Sequence, residues 1–375
     1  MKLFLYDTLL EEKDICNLKR EKERILQGVR RHEKMVIYGK RNTGKTSLVK
    51  SVVIPWFKKQ HPQHFVLFVD LMQVKDLESI SRRIKIAFAE AFAQTFPLKA
   101  TMSSFTQILK GMRPTITIDP LSGSPSLEIK ASKSDDPYFF QSILSTIKKE
   151  ITPKKSVLLV FDEFQDISFV AEAEGLLRNS LQEFSKSSII LMGSKKHILA
   201  QMFAKSNAPF ADFGVDIEFR EIAYEEYHHY IDERFHQKKL KISLENARVL
   251  QDLLFRIPEP INIICRHLFD RYGHQEIDAE MVKVAIAAVI EEKRGRFEEM
   301  LAGLNKNEES ILVAVAKAGP VLEPSSKLFL KKVSNSHATV LKIFKKMHDQ
   351  SFLLKEQDGY HLENPLLYYY LLKYR

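Results

Sequence analysis

One stretch restricts this chain more than any other: Gly39, Lys40, Arg41, Asn42, Thr43, Gly44, Lys45 and Thr46, followed by Ser47. The first eight fit the pattern G-x-x-x-x-G-K-[ST], which carries its chemistry only when it turns a buried strand directly into a helix. Both flanks satisfy that condition. Residues 35–38 are a short apolar run, and a helical pattern begins at residue 46. In such a turn the glycines let successive backbone N–H groups face one anion, and the helix start adds partial positive charge. Lys45 is then placed to reach the outer phosphates of a nucleotide, and the Thr46 hydroxyl to ligate magnesium.

A turn of this kind needs a parallel sheet around it, and the sequence supplies one. Apolar, β-branched runs at 35–38, 65–69, 157–161, 188–192 and 216–219 are each short enough for a strand buried on both faces. Helical patterns at 46–58, 77–96, 138–149 and 172–186 alternate with them. The expected fold class is therefore α/β, a P-loop NTPase parallel sheet with helices on both faces. Residues 98–137 interrupt the rhythm. RPTITID and SLEIK flank PLSGS, which reads as a β-hairpin insertion of open role.

The run Val157-Leu-Leu-Val-Phe ends in Asp162 and Glu163, two carboxylates at the end of a strand where parallel sheets bind their ligands. Asp162 is expected to hold magnesium, and Glu163 to polarise the attacking water as general base. Ser194 closes the next strand and is a candidate to touch the γ-phosphate or that water; Gly193-Ser194 is equally an ordinary strand end or cap.

Beyond residue 223 the strand signal stops. Helical patterns at 224–237, 244–255, 261–272 and 279–292 suggest an all-α lid, and EEKRGRFEEM reads as a charged joint. Three further helical patterns then precede LLKEQDGYHLE, two extended runs about Asp358-Gly359, which together outline a winged helix. The expected boundaries are 1–222 for the core, 223–298 for the lid and 299–375 for the winged helix.

With those residues in place, the chain resembles the archaeal-type ATPases, a branch of the signal-transducing (STAND) P-loop ATPases related to the AAA+ class. The resemblance runs through REKE at 20–23, GKRNTGKTS, SLEIK, VLLVFDEFQD, LMGS and MFAKSNAPFADFG into the lid and winged helix. It implies an ATPase that takes ATP and Mg2+, with an extra strand between the phosphate-loop strand and the Asp162 strand. It also matches Pro260 to the proline that opens a lid helix beside the nucleotide. Two positions depart from the family. Phe210-Ala211 follows Pro209 where relatives often carry Gly-Arg, so no arginine finger is identified, and Ile261 replaces the arginine found after the lid proline in some relatives. Ring assembly is left open.

Composition narrows the partners. Lysine and arginine exceed the acidic residues to give a net charge of +9, which favours an anionic partner. The excess becomes local at Lys327, Lys331, Lys332, Lys342, Lys345 and Lys346, opposed between 327 and 350 only by Asp349. Double-stranded DNA is the expected partner, with Ser334, Asn335, Ser336 and His337 at the start of the third helix facing a groove. Alternatives are a signalling or scaffold ATPase docking a protein, or a nucleotide-binding module that does not hydrolyse. The aromatic close around Tyr368, Tyr369 and Tyr370 reads as core packing. Two cysteines without metal spacing argue against disulfides and zinc. Asp7, Glu11 and Glu12 interrupt the apolar opening, so a cytoplasmic protein with no membrane partner is expected.

Overall fold

The computed structural model describes residues 3–6, 8–96, 112–118, 125–131, 136–203, 207–333 and 335–375. The chain divides into two compact units, Thr8–Glu221 and Ile222–Arg375 together with Met1–Asp7.

In the first unit, strands β1 (Lys34–Gly39), β2 (His64–Asp70), β5 (Ser156–Asp162), β6 (Ser188–Gly193) and β7 (Val215–Phe219) form one sheet in the order β2-β5-β6-β1-β7. Every pairing is parallel. β6 therefore separates the phosphate-loop strand β1 from the Asp162 strand β5, the position that the resemblance implies for an extra strand. Alternation along β5 explains why the sequence reads as continuously apolar. Val157, Leu159 and Phe161 join the core on one face with Phe65, Phe88 and Phe140, and Leu158 and Val160 join the other with Met35, Val53 and Phe57.

The helix behind the phosphate loop starts at Lys45 and runs to Gln60, with a π-turn at Val49–Val53 just before Ile54–Gln60. Pro55 stands in the first turn of that last segment and has no N–H to give to a regular α ladder, which accounts for the widened turn. The helix Leu77–Thr95 begins with a capping box between Asp76 and Ser79. The expected hairpin insertion is present as β3 (Met112–Ile118) paired antiparallel with β4 (Pro125–Ala131). The PLSGS turn, the flanks of the insertion and Ala204, Lys205 and Ser206 lie outside the described residues.

The second unit holds helices Tyr224–Phe235, Leu244–Leu253, Pro258–Arg271 and Ala279–Glu292, with two-residue strands β8 (Lys241–Ile242) and β9 (Glu276–Ile277) pairing in parallel. Phe4 is buried here, edge-on to Phe235 at 5.4 Å between ring centroids, and the Leu5 carbonyl accepts from Asn262 Nδ2 at 3.0 Å. The charged joint is itself a helix, Arg294–Ala302, and only Phe297 and Leu301 are buried in it. Helices Lys306–Ala318, Lys327–Leu330 and His337–Asp349 lead into strands β10 (Leu353–Glu356) and β11 (Gly359–Leu362), joined through the expected Asp358-Gly359 turn. The tyrosine-rich close is a further helix, Pro365–Tyr374, that buries Leu366, Leu367, Tyr370 and Leu371. The Tyr370 hydroxyl donates to Glu298, and Arg375 pairs with the same carboxylate at 2.6 Å. Among the described residues, no helix is long and apolar enough to cross a membrane.

Candidate functional site

The expected phosphate-loop residues and both carboxylates meet at the C-terminal ends of β1, β5 and β6. Asn42 and Gly44 take left-handed backbone conformations, at φ 59° and 88°, which lets the loop curl back over the end of β1. Glycine adopts this geometry without the steric cost that a side chain carries. The buried Lys45 ammonium donates to the Gly39 carbonyl at 2.9 Å and the Lys40 carbonyl at 2.8 Å, so the charge is held inside the loop's own curve. Thr43 Oγ1 fastens the loop by donating to the Lys40 carbonyl at 2.9 Å. Lys40 pairs with Glu221 at 2.9 Å. Ser47 Oγ accepts from the Leu10 N–H at 3.3 Å and ties the N-terminal lead-in to the loop.

Thr46 Oγ1 donates to Asp162 Oδ2 at 2.7 Å, a bond that spans 116 residues of sequence and joins the two halves of the site. Burial is the main cause that raises the Asp162 pKa; the Thr46 hydrogen bond opposes it, and the neighbouring Glu163 charge adds to it. A half-buried hydroxyl in contact with a buried carboxylate supplies the hard oxygen donors that magnesium takes, and a carboxylate kept from water is one that a cation would stabilise. The residues present fit that ion.

Glu163 sits in the left-handed region at φ 48° and ψ 40°, with its N–H donating to Asp162 Oδ1 at 3.0 Å. For a residue with a Cβ this conformation costs about 1–2 kcal/mol, and it turns the side chain back toward β6. There Ser194 Oγ donates to Glu163 Oε2 at 2.9 Å. Ser194 thus joins the cluster that sequence position suggested, through the carboxylate.

Gln165 was not singled out by sequence reasoning. Its Nε2 donates to the same Glu163 oxygen at 2.6 Å and to Asp166 Oδ1 at 3.2 Å, and the side chain is completely buried. Its Oε1 has no partner among the described residues, a situation that typically costs about 1–3 kcal/mol. That oxygen lodges against Gly193, where an added Cβ would lie 2.0 Å away. The only sequence signal was polarity out of place, a glutamine inside the otherwise acidic and apolar DEFQD.

Phe210, standing where relatives often carry Gly-Arg, is fully buried and packs edge-on to Phe164 and Phe213, each at 5.1 Å. Pro260 belongs to the other unit, where it is buried in the first turn of helix Pro258–Arg271.

On the winged helix, all six singled-out lysines are exposed. Lys342 and Lys345 share the outward side of helix His337–Asp349, opposite the buried Val340, Ile343, Phe344 and Met347. Lys346 instead reaches Glu308 at 2.6 Å, and this hydrogen bond is the leading cause that lowers the Glu308 pKa. Ser336 is used as the helix cap, accepting from the Thr339 N–H at 3.3 Å. Ser334 lies outside the described residues.

Comparison with known proteins agrees with this architecture. A family model described as "Probable winged helix domain" matches residues 295–373. Similar solved structures include a Walker-type ATPase of Pyrococcus abyssi, at 14% identity and a TM-score of 0.64, covering 99% of this chain and 100% of that one. The ORC2 protein of Aeropyrum pernix in its ADPNP-ADP complexes follows at 12% identity and a TM-score of 0.54, with 99% and 96% covered. No curated protein matches. At such identities the likeness is one of fold: the chain shares a P-loop ATPase fold with these structures, followed by a helical region and a winged-helix domain.

Proposed function

We propose that the protein binds and hydrolyses ATP with magnesium, and that this reaction switches the engagement of duplex DNA by its winged helix. The carrying observation is the 2.7 Å contact between Thr46 and Asp162, because it brings the phosphate loop and the strand-end carboxylates into one site. The N–H groups of residues 39–47 cradle the phosphates, and Lys45 turns from the Gly39 and Lys40 carbonyls to the outer phosphates. Thr46 and Asp162 hold the magnesium ion, which when bound offsets charge on the phosphate oxygens. Glu163 accepts the proton of the attacking water, and Ser194 keeps that carboxylate in place. The ORC2 neighbour was solved with adenine nucleotides, which supports ATP as the ligand.

Lys327, Lys331, Lys332, Lys342 and Lys345 are the proposed phosphate contacts to DNA, with Lys346 weakened in that role by Glu308. A second reading, a protein docked on the same domain, is favoured by Leu328 and Leu341, which are 74% and 43% exposed among those lysines.

Two binding measurements test the proposal. Calorimetric titration with ATP and magnesium should show binding that Lys45→Ala removes; binding of equal strength in that variant contradicts the nucleotide site. Anisotropy of a labelled duplex should report binding that weakens steeply as salt rises and differs between ATP and ADP states. A duplex that fails to bind at low salt moves the assignment to a protein partner.

A further inference from the structure

We infer that Gln165 is a positioning residue for hydrolysis, a neutral clamp that fixes Glu163 through one carboxylate oxygen and leaves the other to take the proton. This rests on the reading of Glu163 as the general base.

Both side-chain donors to Glu163, the Gln165 amide at 2.6 Å and the Ser194 hydroxyl at 2.9 Å, converge on Oε2. No hydrogen bond to Oε1 is found among the described residues. A general base works best when a third group orients it without competing for its reactive lone pair. Two neutral donors on one oxygen meet that requirement. A lysine or arginine in their place would also orient the carboxylate, but would stabilise its charge and weaken it as a base.

The direction of the amide is itself fixed. Gln165 Nε2 lies between two carboxylates, Glu163 and Asp166, so the reversed amide would set its oxygen against both. Asp166 is held in turn: its Oδ2 accepts from the Gln73 N–H at 2.8 Å, and Lys195 Nζ stands 3.7 Å from its Oδ1. Gly193 leaves room for the Gln165 side-chain carbonyl where it stands, since any Cβ there would lie 2.0 Å from it. The clamp is therefore built from the ends of three neighbouring strands, β2, β5 and β6. As water's oxygen bonds to the γ-phosphorus and the bond to the ADP oxygen breaks, the water proton passes to Glu163 Oε1 while Gln165 and Ser194 keep Oε2 still.

The test compares Gln165→Met, which keeps length and removes the donor, with Asp166→Asn, which keeps every volume and removes one of the two carboxylates that hold the amide's direction. Steady-state ATP hydrolysis and ADP affinity are measured for each beside Glu163→Gln. The clamp predicts kcat lowered at least tenfold in both, with KM for ATP and ADP affinity within about twofold of the parent. Parent-like kcat in both variants, or kcat and nucleotide affinity falling together in both, overturns it. If Glu163→Gln hydrolyses ATP at the parent rate, the general-base reading fails as well. If Glu163→Gln is inactive while the other two are unaffected, only the clamp fails.

Discussion

The two charged regions of this protein are organised in opposite ways. Around Asp162 the polar groups are few, buried or half-buried, and locked to one another, most of them across elements far apart in sequence: Thr46 to Asp162, Ser194 and Gln165 to Glu163, Asp166 to the N–H of Gln73. On helix His337–Asp349, Lys342 and Lys345 are exposed and stand on the side opposite the buried residues, and only Lys346 is tied down, to Glu308. In the first region the fold has fixed each group's direction, as chemistry on a single bond requires. In the second it has only gathered charge of one sign, as suits attraction to a polyanion. The comparison teaches that the first should be sensitive to single atoms and the second to total charge and salt.

The sharpest way to break that contrast is at the phosphate loop. Lys45→Ala should lower ATP turnover by roughly 100-fold or more, the scale of removing one preorganised charge from a reacting group, measured as phosphate release; a few-fold loss would mean that the site is no more specific than the surface. On the other side, Lys342→Glu together with Lys345→Glu should weaken duplex binding about tenfold or more at low salt and flatten the salt slope by roughly two ions or more. Effects confined to one duplex sequence would show base reading instead.

Gly193→Ala sharpens the buried side. The new Cβ would press on the Gln165 carbonyl, and overpacking of this kind costs about 1–3 kcal/mol, which denaturant unfolding would report. An unchanged midpoint would mean that Gln165 can leave its place freely. The smallest effect runs the other way. Burial raises the folded-state pKa of Asp162, so above that pKa its ionised form weighs against folding, and the penalty fades as pH falls through the folded value toward the unfolded one. Without nucleotide or magnesium, Asp162→Asn should melt a few degrees higher at neutral pH, with the gap closing on acidification. A lower melting point at neutral pH would contradict the burial argument.

Much of this was legible in the sequence because the informative residues are contiguous. GKRNTGKT and VLLVFDE each carry a strand, its end and the chemistry in one run, and the Asp358-Gly359 turn announces its own hairpin. What escaped depends on geometry that sequence spacing does not show. Gln165 returns to the strand ends only because Phe164–Phe169 forms a 3-10 turn after a left-handed Glu163. The helix Arg294–Ala302 hid behind its charges, with Phe297 and Leu301 too few to set a period. The last helix, Pro365–Tyr374, is so apolar on every side that no stripe marks it, although its burial was expected. Lys346 and Ser336 looked like free surface groups until Glu308 and the Thr339 N–H were found as their partners.

The measurement that bears most directly on the account is single-turnover hydrolysis of magnesium-ATP by Glu163→Gln beside the parent protein, each first shown to bind the nucleotide. The account predicts that both bind ATP comparably and that the variant releases phosphate at least 100-fold more slowly, the scale of losing a general base. Equal rates of phosphate release would show that the Asp162-Glu163 strand end is not where this chain does its chemistry.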